Sequence, residues 1–176
     1  MKDTLEFYLS NPIATCGAIF LVSLLALIFA FGMEFMMGLK PCVLCIYQRV
    51  PYFITTGLGV IGLATLYREE WINYAAYVIF FTAITFFVGG VIAFYHVGVE
   101  QHWWASALEG CAVEFEKGSI EELKAMIDKK IPARCDEIPW SFLGVSMAGY
   151  NVLASLILAF LTGYSAVIIR RTNEPL

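Results

Sequence analysis

Pro41-Cys42-Val43-Leu44-Cys45-Ile46-Tyr47-Gln48-Arg49 stands at the edge of an apolar run, and its reading decides what the rest of the chain is. With the backbone helical from Pro41 onward, positions 42, 45 and 49 fall at i, i+3 and i+7, so two thiols and a guanidinium share one face. A Cys-x-x-Cys pair at a helix start has unpaired amides and the macrodipole to stabilise a thiolate, which is the reactive form. Arg49 lies one turn below Cys45, where it can hold a thiolate or the polar head of a cofactor at membrane depth. A purely structural disulfide has no need of that arginine.

Working outward, the chain of 176 residues is 60% hydrophobic and 15% charged, with a mean hydropathy of +0.74. That is too apolar for a soluble domain of this size. A helix crossing hydrocarbon needs about 20 mostly apolar residues, and four runs qualify, at about 12–33, 45–66, 73–95 and 146–169. The second helix opens at Cys42. The expected fold is therefore an all-α integral membrane protein, a four-helix transmembrane bundle in one membrane domain over 1–176. Connecting loops at about 34–44 and 96–145 share one side, and both termini share the other. The first run follows a Ser10-Asn11-Pro12 cap, exceeds the apolar core of a secretory signal and is read as retained. A net charge of -4 offers no basic surface for nucleic acid.

Inside the spans, Arg49 and Pro51 are costly and call for a reason. Gly57-Leu58-Gly59-Val60-Ile61-Gly62 has the letters of a dinucleotide fingerprint, but no strand precedes it. It reads as a close-packing surface, as does Gly89-Gly90. Cys16 reads as a small apolar residue against a neighbouring helix. His96 stands at the exit of the third span.

The long segment holds Cys111 and Cys135, with Trp103-Trp104, Trp140 and Phe142 suited to headgroup depth. Between the cysteines, Ser119-Ile120-Glu121-Glu122 is a capping box opening a helix that Pro132 closes. Its stripe of Ile120, Leu123, Ile127 and Ile131, with Lys124, Lys129 and Lys130 around it, suits an amphipathic helix lying on the membrane or packed on the loop's own residues. Lys2, Arg68, Arg170 and Arg171 flank the spans on the terminal side, which favours termini inside. Paired cysteines persist as disulfides outside the cytosol, which places the loops outside.

Two cysteine pairs on one face of a membrane suggest a relay, the exposed pair exchanging with a soluble partner and the membrane-edge pair with something lipid-soluble. Four cysteines allow three connectivities. A four-span structural protein with a disulfide-stapled loop would explain Cys111 and Cys135, but not Cys42, Cys45 and Arg49. The gaps between the pairs are too wide for an ordinary zinc site, and His96 and His102 do not share a helix face for haem.

In its four-span layout and its Cys42-Val43-Leu44-Cys45-Ile46-Tyr47-Gln48-Arg49 string, the chain resembles the DsbB family of bacterial disulfide-bond formation proteins. Tyr95-His96, Cys111, and Cys135 followed by Trp140-Ser141-Phe142-Leu143-Gly144 occur in the family's order. The resemblance implies a protein dithiol:quinone oxidoreductase of the bacterial inner membrane, with cytoplasmic termini and periplasmic cysteine loops. It implies that Cys42 and Cys45 are the quinone-linked pair, and that Cys111 and Cys135 oxidise a DsbA-like thioredoxin-fold protein. Cys111 would form the mixed disulfide and Cys135 would exchange with Cys42. Cys45 would then face the quinone, with Arg49 and His96 near the quinone oxygens.

A DsbA-like partner near about -120 mV could pass electrons to glutathione near about -200 mV only uphill, by about 4 kcal/mol for two electrons, so a stronger acceptor is required. A membrane quinone meets that need, ubiquinone and menaquinone alike. A vitamin K epoxide reductase-like enzyme also couples thiols to quinone, but carries its Cys-x-x-Cys late in the chain. A conduit running the other way would want cysteines inside the spans, where only Cys16 lies.

Overall fold

The computed structural model describes residues 7–67, 72–108, 111 and 133–173. Four long helices dominate: α1 (Pro12–Met37), α2 (Val43–Thr65), α3 (Ile72–Glu100) and α4 (Met147–Asn173). Helix α1 packs on α2, α2 on α3, and α3 on α4. The Asn11 side chain caps α1 by accepting from the amides of Ile13 and Ala14. Gly38, left-handed at φ 66°, ends it.

Three helices are long and apolar enough to cross a membrane among the described residues: α1, α4 to Thr172, and α3 from Tyr74. The second expected span, α2, is not one of them. Gln48, Arg49, Pro51, Thr55 and Thr56 dilute its hydropathy; the first four meet partners on neighbouring helices rather than lipid, and Thr56 bonds the Tyr52 carbonyl of its own helix. The amphipathic helix expected from Ser119, and the flanking Lys2 and Arg68, lie outside the described residues.

Helices α1, α3 and α4 outrun the apolar stretches that announced them, α4 by one turn to Asn173. Helix α1 continues to Met37, which puts Glu34 in a helix instead of a connector. Helix α3 has 29 residues, about 43 Å at 1.5 Å per residue, against a hydrocarbon core of about 30 Å. His96 therefore sits inside α3, one turn before its end, and not at its exit. A two-residue hairpin also precedes α4: β1 (Ser141–Phe142) pairs antiparallel with β2 (Val145–Ser146). Leu143 and Gly144 both have positive φ, 49° and 79°, the pattern of a tight hairpin turn.

The glycine pattern in α2 works as close packing. A Cβ at Gly59 would come within 2.9 Å of the Phe20 backbone on α1, and one at Gly62 within 2.6 Å of Cys16 Sγ. Cys16 itself is fully buried in a cluster with Ile19, Ala76, Ile79, Ala166 and Ile169. Pro51 rests against Gly89, where a Cβ would lie 3.1 Å from the proline ring. Helix α2 runs through Pro51 without a break. Hydroxyl pairs tie the helices together, Ser23 with Thr55 at 2.8 Å and Thr15 with Ser165 at 3.0 Å. Large apolar side chains such as Leu25, Phe81 and Phe160 face outward, as expected where the solvent is lipid.

Candidate functional site

The end of the bundle at which α2 begins and α3 finishes gathers most of the chain's reactive groups. Cys42 is the N-cap of α2, its extended backbone turning the sulfur back to accept the Cys45 amide at 3.3 Å. The i, i+3 spacing then brings Cys45 Sγ to 2.9 Å from Cys42 Sγ. Both thiols are unpaired, at a separation that a disulfide closes with little backbone movement.

Cys111 and Cys135 are joined as a disulfide. The Cys135 amide also donates to the Cys111 carbonyl at 3.2 Å. This pair is fully buried against the other: Cys42, Leu44, Val99, Cys111 and Cys135 form one cluster, with Cys45 and Tyr95 packed on it. A parallel bridge between Cys42 and Ala133 fixes the strand leading to Cys135 against the start of α2. All four cysteines singled out in the sequence thus lie together.

His96, buried in α3, presents Nε2 3.6 Å from Cys42 Sγ and 3.8 Å from Glu100 Oε1 one turn on. The Ser146 hydroxyl donates to Glu100 Oε2, and the Cys135 backbone also faces the imidazole. His96 Nδ1 meets Gln48 Nε2 at 2.6 Å. Asn151 Nδ2 donates to Gln48 Oε1 at 2.6 Å, and Asn151 Oδ1 accepts from Tyr52 at 2.6 Å and Ser155 at 3.1 Å. This polar chain crosses α2, α3 and α4.

Arg49 departs from the first of its two expected roles. Its guanidinium does not hold a thiolate: Nη1 donates to Glu34 Oε2 on α1 at 2.6 Å, and the group lies 4.7 Å over the Phe31 ring. It nevertheless borders a cavity of about 450 Å³ with Cys45, Gln48, His96, Glu100 and Asn151. Leu27, Phe29, Ala30 and Met33 from α1, and Trp140, Phe142 and Met147 opposite, form its apolar walls. Small-molecule sites of this size combine apolar walls with a few convergent polar groups.

Electrostatics distinguish the two thiols. Cys42, outside the helix body, is held far below its ordinary value, at about 4, first by the hydrogen bond from the Cys45 thiol and further by His96. The ligand atoms of Cys42, Cys45 and His96 lie within 4.8 Å of one another. His102 lies apart, with left-handed backbone just past α3 and its ring against the Glu100 carbonyl.

Glu34, Gln48, Tyr52, Glu100, Asn151 and Ser155 were not singled out from sequence. A signal existed for some: Glu100 follows His96 by four, and Asn151 and Ser155 share one face of an apolar helix.

Comparison with known proteins supplies a family. Residues 13–165 match the family described as Disulfide bond formation protein DsbB. Disulfide bond formation protein B of Xylella fastidiosa (strain Temecula1) is 33% identical over 162 residues, covering 85% of this chain and 87% of that protein. The protein of the same name from Pseudoalteromonas translucida is 29% identical over 148 residues, covering 82% and 81%. An uncharacterized protein of Rickettsia prowazekii is 26% identical over 144 residues, covering 81% and 80%. With its apolar helices, two adjacent cysteine pairs and a family match over most of its length, this chain belongs to the DsbB family of membrane disulfide-bond formation proteins.

Proposed function

We propose that the chain is a protein dithiol:quinone oxidoreductase, reoxidising a DsbA-like thioredoxin-fold protein of the periplasm and passing the electrons to a membrane quinone. The observation that carries this reading is the burial of both cysteine pairs in one cluster, with Cys45 opening onto a cavity that His96 and Arg49 also border.

A thiolate of the reduced partner attacks Cys111 Sγ, forming a mixed disulfide and expelling Cys135 as a thiolate. The partner's second thiolate attacks its own half of that bond, and Cys111 leaves. The partner departs oxidised, and the Cys111–Cys135 pair holds two electrons. Cys135 then attacks Cys42 within the Cys42–Cys45 disulfide, and Cys45 leaves as the thiolate facing the cavity. Cys111 restores the loop disulfide by attacking Cys135, which releases Cys42. Each step exchanges one S–S bond for another, so the four sulfurs only relay the electron pair.

The residues fit a quinone. Its ring oxygens would find a donor in Arg49, which keeps further N–H groups beyond the one given to Glu34, with His96 bordering the same cavity. Its apolar tail would lie along Leu27, Phe29, Ala30 and Met33. A bound quinone supplies a two-electron, two-proton acceptor, and the chain's own groups exclude water and orient Cys45. Loops on the periplasmic side of a bacterial inner membrane, with cytoplasmic termini, give the relay its oxidising compartment.

The test is turnover. Purified protein in detergent, given a reduced DsbA-like partner, reduces added quinone, and Cys45→Ser abolishes that reaction while leaving the Cys111–Cys135 disulfide in place. Quinone reduction that persists in Cys45→Ser refutes the route.

A further inference from the structure

The polar chain beside the thiols has a direction. Asn and Gln amides each carry an acceptor end and a donor end. Asn151 Oδ1 takes the Tyr52 and Ser155 protons, so its Nδ2 faces Gln48 Oε1, and Gln48 Nε2 faces His96 Nδ1. A nitrogen that accepts at 2.6 Å carries no proton. Running the chain backwards would turn the Asn151 donor onto Tyr52 and Ser155 and leave these two hydroxyls only each other, 3.3 Å apart, so one of their two protons would lose its acceptor in the chain.

We infer that Asn151 is a positioning residue for the redox thiols, acting through Gln48 to keep His96 neutral with its proton on Nε2, aimed at Cys42. The groups facing the imidazole are the Cys42 sulfur, the Glu100 carboxylate, the Gln48 amide and the Cys135 backbone. Protonating Nδ1 as well would set two donors against each other at the Gln48 contact, so the chain opposes the imidazolium. The consequence is chemical. When a thiolate attacks a sulfur bonded to Cys42, that bond breaks with its electron pair going to Cys42, and the Nε2–H stands ready to stabilise the departing thiolate. The same proton keeps Nε2 from serving as a metal ligand, which argues against a cation at the cluster with Cys45.

The inference rests on Cys42 being one of the relay thiols, but its test does not need turnover. The chain has two histidines, so ring ¹⁵N spectra of the full-length reduced protein in detergent can be assigned with a His102→Gln variant. The expected wild-type spectrum has His96 with Nδ1 at the unprotonated position and Nε2 at the protonated one near neutral pH. Asn151→Asp removes the donor to Gln48, reverses that amide, and moves the Nδ1 resonance to the protonated position. A merely structural role for Asn151 would not move that signal selectively. Should Asn151→Asp not fold, the Tyr52→Phe, Ser155→Ala pair serves in its place, since loss of both hydroxyl donors lets Asn151 turn and splits the Nδ1 signal between the two positions. Protonated Nδ1 in the wild type overturns the inference, as does an unmoved Nδ1 signal in the folded variant. Absent quinone turnover with these spectra as expected would instead refute the proposed activity alone.

Discussion

Neutralising Glu34 tests how Arg49 is held. The pair meets at 2.6 Å with side-chain exposures of 15% for Arg49 and 27% for Glu34, so solvent screens it only in part. A charge-assisted hydrogen bond is worth about 1.5–3 kcal/mol, which partial exposure reduces to about 1–2 kcal/mol. The contact of the guanidinium with Phe31 adds about 0.5–1 kcal/mol and survives loss of the carboxylate. At about 2–4 °C per kcal/mol for a chain of this length, Glu34→Gln should lower the midpoint of thermal unfolding in detergent by about 2–8 °C. Arg49→Gln loses the ring contact as well and should fall further. The assay is a double-mutant cycle with Glu34→Gln, Arg49→Gln and both together, read by unfolding and by the quinone concentration that half-saturates turnover. A coupling of about 1–2 kcal/mol in stability is expected. In turnover, Arg49→Gln should raise the half-saturating quinone concentration and Glu34→Gln should raise it less, because the guanidinium still borders the cavity. Additivity within about 0.3 kcal/mol, or equal effects of both variants on quinone, would refute the reasoning.

Two other outcomes follow from the packing and the thiols. Gly59→Ala should destabilise the protein by about 1–3 kcal/mol, because its Cβ would meet the Phe20 backbone at 2.9 Å. Gly57→Ala, with nothing within 4 Å, should cost nothing, and equal stabilities in thermal unfolding would exclude the close-packing role. For Cys42, a value lowered to about 4 means that the reduced protein carries the thiolate throughout pH 6–8. Iodoacetamide labelling located at Cys42 by mass spectrometry should therefore be nearly flat over that range, whereas a thiol of ordinary pKa would react about tenfold faster per pH unit. Because the folded value lies below the unfolded one, ionisation of Cys42 favours the folded reduced state fully above about pH 9, and that contribution is lost as pH falls towards about 4.

What could be read from sequence was whatever repeats locally. Four apolar runs announced four long helices, and small residues at Gly59 and Gly62 announced close contact with a neighbour. The Cys42, Cys45 spacing on a helix start announced a thiol pair. The failures were of two physical kinds. Hydropathy ended α1 at Met33 and α3 at Tyr95, yet a helix stops where its backbone loses partners, and α1 reaches Gly38 while α3 reaches Glu100. The thiolate role of Arg49 was read from its distance to Cys45 along one helix, but α1 brings a carboxylate nearer.

The extra turns are where the site is built, which explains why polar groups misread as connectors matter most. Glu34 lies past the apolar part of α1, and His96 and Glu100 past that of α3. Gln48, Tyr52 and Asn151 are polar residues that would be costly facing lipid. Their partners are 48 to 103 positions away in sequence, so no local spacing could pair them. Each is tolerable only because another helix supplies the complementary donor or acceptor, and it is this mutual dependence that gives the chain from Ser155 to Cys42 its direction. A polar residue in an apolar helix is then a statement about the neighbouring helix: replacing Asn151 with leucine would suit lipid better and still leave Gln48 free to turn, so His96 would lose the fixed proton that faces Cys42.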